Sequence, residues 1–273
     1  MTRPPPAPGP PWDAPLDEAA LAFVDLEMTG LDPATDHVIE VCIERVVGGH
    51  VVDSMCSLVK PPVRAGHNVH IHGIDEAALT HAPPFADLAG RVLALLSDAV
   101  LVAHGARWDV SFLEAELARV GAPQRFSHYL DTLDLSRRAL SLPRHSLDAL
   151  AEHLGIDRAR AHRADADVAA LRTVFAECVR ILAPNTPRDL WEVRIAERAA
   201  RSQVLADCTD AQAAGVPVRI DYRPRGRAAE TLTMVVTAVD SGLDPPRVIG
   251  YLLPGRGRRE LRADRILRVE SAQ

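Results

Sequence analysis

Two acidic residues stand two positions apart in an otherwise apolar segment near the start of the chain. The segment reads FVDLE and contains Asp25 and Glu27. Residues two apart in a β-strand project from the same face, so the two carboxylates would be neighbours. Burying two like charges together costs free energy unless a counter-charge neutralises them. The pair therefore predicts a cation site at the carboxyl end of a strand or, as the alternative, two solvated acids at a strand end.

Three further polar residues stand where helices are expected to begin. Asp109 follows the apolar run AVLVAH, and Asp167 lies in the first turn of a helix that begins within AHRADADVAAL. Taken singly, each aspartate can be read as a helix cap or as an acid that favours the helix dipole. His162 precedes Asp167 by five residues, which is about 140° around a helix, so we place it on the entering loop.

The pattern of apolar residues around these positions predicts an α/β layout. Three strands open it, and the last two are joined by Gly48 and Gly49, which indicate a tight hairpin. Helices and buried strands then alternate, with a strand expected in LDTLDLSRRAL and helices in SLDALAEHLGI and DADVAALRTVFAECVRILAP. The predicted domains are a Pro-rich flexible N-terminus (1–18), an α/β domain that contains these acids (19–184), a helical linker (185–215) and a small β-rich domain (216–273).

Three blocks of sequence resemble a known family in their order and separation. FVDLEMTGL, LVAHGARWDVSFL and AHRADADVAAL are similar to the motifs of the DEDDh 3′-to-5′ exonucleases, which include the proofreading subunit of bacterial replicative DNA polymerase. The resemblance covers residues 20–183, and HIHGI, HAPPFADL and HSLDALAEHLGI also resemble the family's connecting segments. It implies an RNase H-like fold, with a mixed central sheet flanked by helices.

The same resemblance assigns roles to the polar residues. Asp25, Glu27, Asp109 and Asp167 are implied to bind metal, and His162 to act as the general base. Four converging carboxylates would repel one another, and two divalent cations with all-oxygen ligands, Mg²⁺ or Mn²⁺, would neutralise them. Such ions activate water and stabilise a leaving oxygen, which predicts release of nucleoside 5′-monophosphates.

Contacts with the substrate are also implied by the resemblance. Met28 and Thr29 are expected beside the 3′-terminal nucleotide, and His72, Gly73 and Ile74 beside its base. The alternative for the last three residues is a turn with a buried isoleucine. Two positions depart from the family's usual sequence, because Gly105 replaces an asparagine and Trp108, also a candidate substrate contact, replaces a phenylalanine.

The C-terminal part of the chain differs in charge from the rest. Residues 184–273 carry 15 arginines and 12 acids, or +3, whereas the whole chain has a net charge of −6. Its period-two pattern predicts a small β-rich domain that is similar to WYL modules, which are associated with nucleic-acid or ligand sensing. The alternative is a stabilising appendage with a solvated, Arg-rich surface.

Several classes of protein are excluded or disfavoured by composition. The acidic balance disfavours a protein that coats nucleic acid indiscriminately. The four cysteines form no C-x-x-C pattern, which argues against a zinc ribbon, and no apolar run is long enough for a membrane span or a signal peptide. We therefore expect a cytoplasmic protein that does not bind membranes.

The sequence favours a metal-dependent 3′-to-5′ exonuclease that acts on single-stranded or frayed DNA 3′ ends in repair or proofreading. Two alternatives stay open, an exoribonuclease with the same site and a non-catalytic nucleic-acid-binding regulator. The sequence contains no short clamp-binding peptide and identifies no polymerase or other protein partner.

Overall fold

The computed structural model describes residues 4–63, 69–156, 163–222, 224, 230–243 and 246–272, without the side chains of residues 70, 71 and 194–201. The chain forms two compact units. The first contains Met1–Leu140 and His145–Arg194, and the second contains Ser141–Arg144 and Ile195–Gln273.

A five-stranded mixed sheet forms the centre of the first unit. Its strands are β1 (Leu21–Met28), β2 (Val38–Val47), β3 (His50–Leu58), β4 (Val100–Ala103) and β5 (Leu130–Asp131). They lie in the order β3-β2-β1-β4-β5, with β1–β2 and β2–β3 antiparallel and β1–β4 and β4–β5 parallel. The predicted mixed central sheet is confirmed, and so is the hairpin at Gly48 and Gly49, both of which have positive φ.

Eight helices accompany the strands among the described residues. They are α1 (Val69–His72), α2 (Glu76–Leu79), α3 (Phe85–Leu96), α4 (Arg107–Arg119), α5 (Thr132–Ala139), α6 (Leu147–Leu154), α7 (Ala164–Leu182) and α8 (Pro187–Ala214). No helix in the described part of the chain is both long and apolar enough to cross a membrane.

The central strand β1 has two different faces. Val24 and Leu26 belong to the main hydrophobic core, together with residues of α3 and α4. Phe23 points the other way and packs edge-to-face on Phe175 of α7, with 5.3 Å between ring centroids. Because side chains alternate along a strand, the face of Phe23 is also the face of Asp25 and Glu27.

One predicted element has a different conformation in the structure. A strand was expected in the segment LDTLDLSRRAL, but the strand β5 comprises Leu130 and Asp131 alone and α5 begins at Thr132. The Asp131 side chain accepts a hydrogen bond from the backbone N–H of Leu133 and so caps this helix. The capping aspartate ends the strand earlier than the apolar pattern suggested.

The Pro-rich N-terminal segment makes specific contacts within the first unit. Arg188 donates to the carbonyls of Pro6 and Ala7 and forms an ion pair with Asp13. The backbone N–H of Leu16 donates to the Asn185 carbonyl at 2.9 Å. Proline removes donors but leaves its carbonyl as an acceptor, so the segment expected to be flexible can still be held by a neighbouring arginine.

The second unit contains an antiparallel sheet packed on the end of α8. Its strands are β6 (Pro217–Tyr222), β7 (Glu230–Asp240), β8 (Arg247–Leu252), β9 (Arg258–Arg262) and β10 (Ile266–Ser271), in the order β10-β6-β7-β8-β9. Val204, Cys208 and Ala211 of α8 share a core with the inner face of this sheet. The predicted β-rich C-terminal part is confirmed.

Candidate active site

Three of the predicted acidic residues converge at the carboxyl end of β1. One carboxylate oxygen from each of Asp25, Glu27 and Asp167 lies within 4.8 Å of the others. Asp25 and Glu27 are half-buried on β1, and Asp167 is buried in the first turn of α7. The contact of α7 with the Phe23 face of β1 brings the start of this helix beside the strand.

Asp109, the fourth predicted acid, is buried in the first turn of α4, which follows β4. Burial raises the pKa of its carboxyl above the ordinary range and the nearby Asp131 carboxylate adds to the rise, although N–H groups of Asp109 and Leu26 partly oppose it. Helix α4 is tied to the sheet by Glu116, which accepts a hydrogen bond from the Val38 backbone N–H at 3.1 Å.

Glu27 carries the clearest electrostatic signature of the cluster. Burial, followed by repulsion from the carboxylates of Asp167, Glu40 and Asp109, raises its pKa from 4.5 to about 8, although Arg163 partly opposes the rise. Asp109 thus lies close enough to act on Glu27 through space. A group of acids that is costly to ionise together is the expected property of a site that binds a cation.

An ion pair between a buried glutamate and a part-buried arginine, here called the Glu40–Arg163 clamp, holds the start of α7 against the sheet. Glu40 of β2 is 3% exposed and lies directly opposite Glu27 in the β1–β2 register. Arg163, the N-cap of α7, donates from Nε to both Glu40 oxygens at 3.2 and 3.1 Å and from Nη2 to one of them at 2.6 Å. Glu40 also accepts from the Ala164 backbone N–H at 2.9 Å.

The sequence analysis did not predict the Glu40–Arg163 ion pair. A glutamate within the buried strand VIEVCIERVV is the same kind of signal as Asp25 and Glu27 in β1. Its register opposite Glu27, and the arginine adjacent to His162, could have identified it as a residue that positions the α7 aspartate.

Met28 and Thr29, predicted to contact the terminal nucleotide, close the end of β1. Met28 packs against the main core. The buried Thr29 hydroxyl donates to Asp36 at 3.2 Å and accepts from the His37 backbone N–H at 3.0 Å. The hydroxyl therefore orders the connection to β2, and its bond to a substrate hydroxyl stays a prediction.

The residues His72, Gly73 and Ile74 form a turn. The His72 Nδ1 accepts from the Ile74 backbone N–H at 3.0 Å, and Gly73 has a φ of 69°. Ile74 is 2% exposed and packs with Ile39 and Leu79. This arrangement matches the alternative interpretation, a turn with a buried isoleucine, and contact of this segment with a base stays a prediction.

Trp108 and Gly105 flank the start of α4. Trp108 is 38% exposed next to Asp109, and the Arg107 guanidinium lies 4.7 Å from the centroid of its ring. Gly105 has a φ of 73° and donates its N–H to Asp131 at 2.9 Å. Glycine and asparagine are the residues that most readily adopt this left-handed conformation, so one can replace the other here.

His162 lies outside the described residues. Its role as a base stays a prediction from the sequence, and the nearest described residue along the chain is the clamped Arg163.

Comparison with known families identifies the first unit. Residues 22–175 match the RNase_T family, which is described as an exonuclease. The chain belongs to the RNase_T exonuclease family. The match confirms the resemblance to DEDDh exonucleases, and it ends before the C-terminal sheet, whose similarity to WYL modules stays a prediction.

Bacterial DNA polymerases contain segments that are similar in sequence to the exonuclease domain of this chain. The exonuclease domain is similar to the PolC-type DNA polymerase III of Thermotoga maritima, with 32% identity over 171 residues, and to that of Staphylococcus aureus, with 28% over 172 residues. Each match covers 62% of this chain but only 12% of the polymerase. The chain thus spans about an eighth of the length of these relatives.

Solved structures share the fold. A zinc-bound complex of E. coli exonuclease I with single-stranded DNA has a TM-score of 0.55 and 19% identity, covering 86% of this chain and 54% of that one. The complex of the same enzyme with a dT13 oligonucleotide has a TM-score of 0.54 and 16% identity, covering 93% and 66%. These likenesses confirm the RNase H-like exonuclease fold.

The raised pKa of Glu27 predicts how the metal-free protein responds to pH. The folded state keeps a proton on Glu27 up to a pH of about 8, whereas the unfolded chain loses it near 4.5. The folded state thus binds more protons in this window, so its stability should fall as pH rises from about 4.5 to about 8. The measurement is the urea midpoint against pH in EDTA.

Glu27→Gln is the matched control for this experiment because it removes the titrating proton and nearly preserves the shape. Its stability should fall less across the same pH window than that of the wild type, and excess Mg²⁺ should reduce the difference between the two proteins. Identical pH profiles for the two proteins in EDTA would show that Glu27 titrates normally.

The Glu40–Arg163 clamp should show strong energetic coupling. In a double-mutant cycle of Glu40→Gln and Arg163→Gln, we expect a coupling free energy of about 1 to 3 kcal/mol, because Glu40 is buried and the pair is bidentate. The Glu177–Arg180 pair on the same helix is exposed and serves as control, with an expected coupling of about 0.5 kcal/mol or less. Equal coupling for both pairs would contradict the clamp.

Proposed function

We propose that this protein is a metal-dependent 3′-to-5′ exonuclease that removes nucleotides from single-stranded or frayed DNA ends. The observation that carries the proposal is the convergence of the Asp25, Glu27 and Asp167 oxygens within 4.8 Å. Asp109 completes the acidic set through its effect on the Glu27 pKa. Membership of the exonuclease family supports phosphodiester hydrolysis as the reaction at this cluster.

The residues of the cluster fit a pair of hard divalent cations. All donors are carboxylate oxygens, which suit Mg²⁺ and Mn²⁺, and the set contains no soft sulfur ligand. Burial, followed by repulsion from Asp167, Glu40 and Asp109, raises the pKa of Glu27 more than Arg163 lowers it. Asp25, Glu27, Asp109 and Asp167 would hold the two ions, which when bound activate water and neutralise the developing charge on a phosphodiester.

Residues around the cluster would accept the proton of the attacking water and contact the substrate. We assign His162 as the proton acceptor, since an imidazole with an ordinary pKa near 6.5 is partly neutral at physiological pH. The exposed ring of Trp108 next to Asp109 offers an apolar surface on which the terminal base can stack. Met28, Thr29, His72, Gly73 and Ile74 would shape the rest of the pocket.

We favour DNA over RNA as substrate. The polymerase relatives are named as DNA polymerases, and structures of E. coli exonuclease I contain single-stranded DNA oligonucleotides. We also propose a role in repair or proofreading and a cytoplasmic location. An exoribonuclease would need pocket contacts to the 2′-hydroxyl, and the same assay detects it.

Hydrolysis of labelled single strands tests the proposal. Purified protein with a 5′-labelled DNA strand and Mg²⁺ or Mn²⁺ should give a ladder of shortened products and nucleoside 5′-monophosphates, and EDTA should stop the reaction. Asp25→Ala should abolish turnover with little loss of thermal stability, because it removes one of several repelling carboxylates. Inactivity of the wild type on DNA and RNA with both metals would instead favour a nucleic-acid-binding regulator.

His162 is tested separately from the metal ligands. His162→Ala should lower kcat by about 10² to 10⁴, the usual contribution of a general base. In the wild type, log kcat should rise with pH up to the histidine pKa and then level off, and the variant should lack this inflection. Unchanged turnover and pH dependence in the variant would remove His162 from the mechanism.

A further inference from the structure

A strongly basic hairpin projects from the second unit. It comprises β8, β9 and the loop between them, residues 247–262, with five arginines and one glutamate for a net charge of +4. The whole chain has a net charge of −6. This hairpin is therefore a local basic surface on an acidic protein, and such local positive charge attracts a polyanion.

Three arginines of this hairpin have no side-chain partner among the described residues. Arg256, Arg258 and Arg259 are exposed, and none of them forms a side-chain hydrogen bond or ion pair with any described residue. Other arginines of the same sheet are paired, since Arg247 contacts Glu260 at 3.2 Å and Arg268 contacts Glu270 at 2.5 Å. No contact within the described part of the chain occupies these three guanidinium groups, which are therefore available to a ligand.

The backbone at Arg256 supports a functional reason for the arginine. This residue has a φ of 52°, and its neighbours are Gly255 and Gly257. A side chain in the left-handed region costs free energy relative to glycine. The turn is nevertheless ordered, with the Arg256 N–H donating to the Leu252 carbonyl at 2.6 Å and the Leu252 N–H to Gly257 at 2.9 Å.

An aromatic ring lies beside these charges. Tyr251 is 44% exposed and pairs across the strands with Arg258 on one side and Val235 on the other. Its neighbours Gly250 and Leu252 lie on the other face of β8, together with Val248. Val248 is buried in the core with Cys208 of α8. Tyr251 therefore lies on the open face of the sheet, away from the helix.

We propose that the β8–β9 hairpin is a binding site for single-stranded nucleic acid. Arg256 in the loop and Arg258 on the face of Tyr251 contact phosphates beside the Tyr251 ring, which stacks on a base, and Arg259, on the other face of the edge strand β9, contacts a further phosphate as the nucleic acid passes around this edge. The phenolic ring discriminates nucleic acid from an acidic protein, because a stacked base gains from an aromatic face that a carboxylate does not use. As an accessory contact of the exonuclease with its substrate, this site rests on the proposed function.

The salt dependence of binding tests the role of the arginines. Fluorescence anisotropy with a labelled oligothymidylate of about 16 nucleotides should be recorded in EDTA, where no strand is hydrolysed. For the triple variant Arg256→Gln, Arg258→Gln, Arg259→Gln, the slope of log Kobs against log salt should be smaller than in the wild type by about 2, the value for three phosphate contacts on a single strand.

The matched control removes three arginines that are paired on the first unit. Arg91, Arg125 and Arg180 form surface ion pairs with Asp53, Glu114 and Glu177. Their triple replacement by glutamine changes the net charge equally and should leave the salt slope unchanged. An equal loss of slope in both triple variants, or no loss in the hairpin variant, would overturn the proposal.

Tyr251 variants test the stacking contact. Tyr251→Ala should weaken binding by about 5-fold or more, whereas Tyr251→Phe should keep the wild-type affinity because it retains the ring. Equal affinities for all three proteins, or equally effective competition by polyglutamate of matched charge, would contradict nucleic-acid recognition. Since binding is measured without turnover, an inactive enzyme with an intact salt slope would disprove the proposed function and leave this site standing.

Discussion

The carboxylates of Asp25, Glu27 and Asp167 repel one another, yet the fold holds their oxygens within 4.8 Å. Burial adds to this cost, as the raised pKa of Glu27 shows. Protonation can relieve the repulsion, and so can divalent cations. The proposed catalysis depends on the second solution, because only the cations leave the carboxylates ionised and supply positive charge to a phosphodiester.

The surrounding structure holds these mutually repelling carboxylates in place. β1 is the middle strand of the first sheet, with its first residues paired to both β2 and β4 and its carboxyl end paired to β2. The start of α7 is held to β2 by the Glu40–Arg163 clamp, and α4 is held to the sheet through Glu116. Rigid placement of ligands before the ions bind is the main contribution a scaffold makes to such a site.

The sequence was sufficient to predict site residues where a residue type is unusual for its secondary structure or marks the start of a helix. Acids inside the apolar strand β1 and at the starts of α4 and α7 could be recognised because strands and helix starts have known residue preferences. The strand expected in residues 130–140 was wrong after Asp131, since the cap of α5 outweighed the apolar pattern. The Glu40–Arg163 clamp joins residues 123 positions apart, and only the strand register places Glu40 opposite Glu27.

Anomalous diffraction from crystals grown with Mn²⁺ tests the central claim most directly. The account predicts two anomalous peaks at the end of β1, one or both contacted by each of Asp25, Glu27, Asp109 and Asp167. It also predicts that Glu27→Gln weakens these peaks while α7 stays clamped to β2. Ordered side chains at saturating Mn²⁺ with no peak among them, or with peaks only elsewhere on the protein, would contradict a cation-neutralised carboxylate centre.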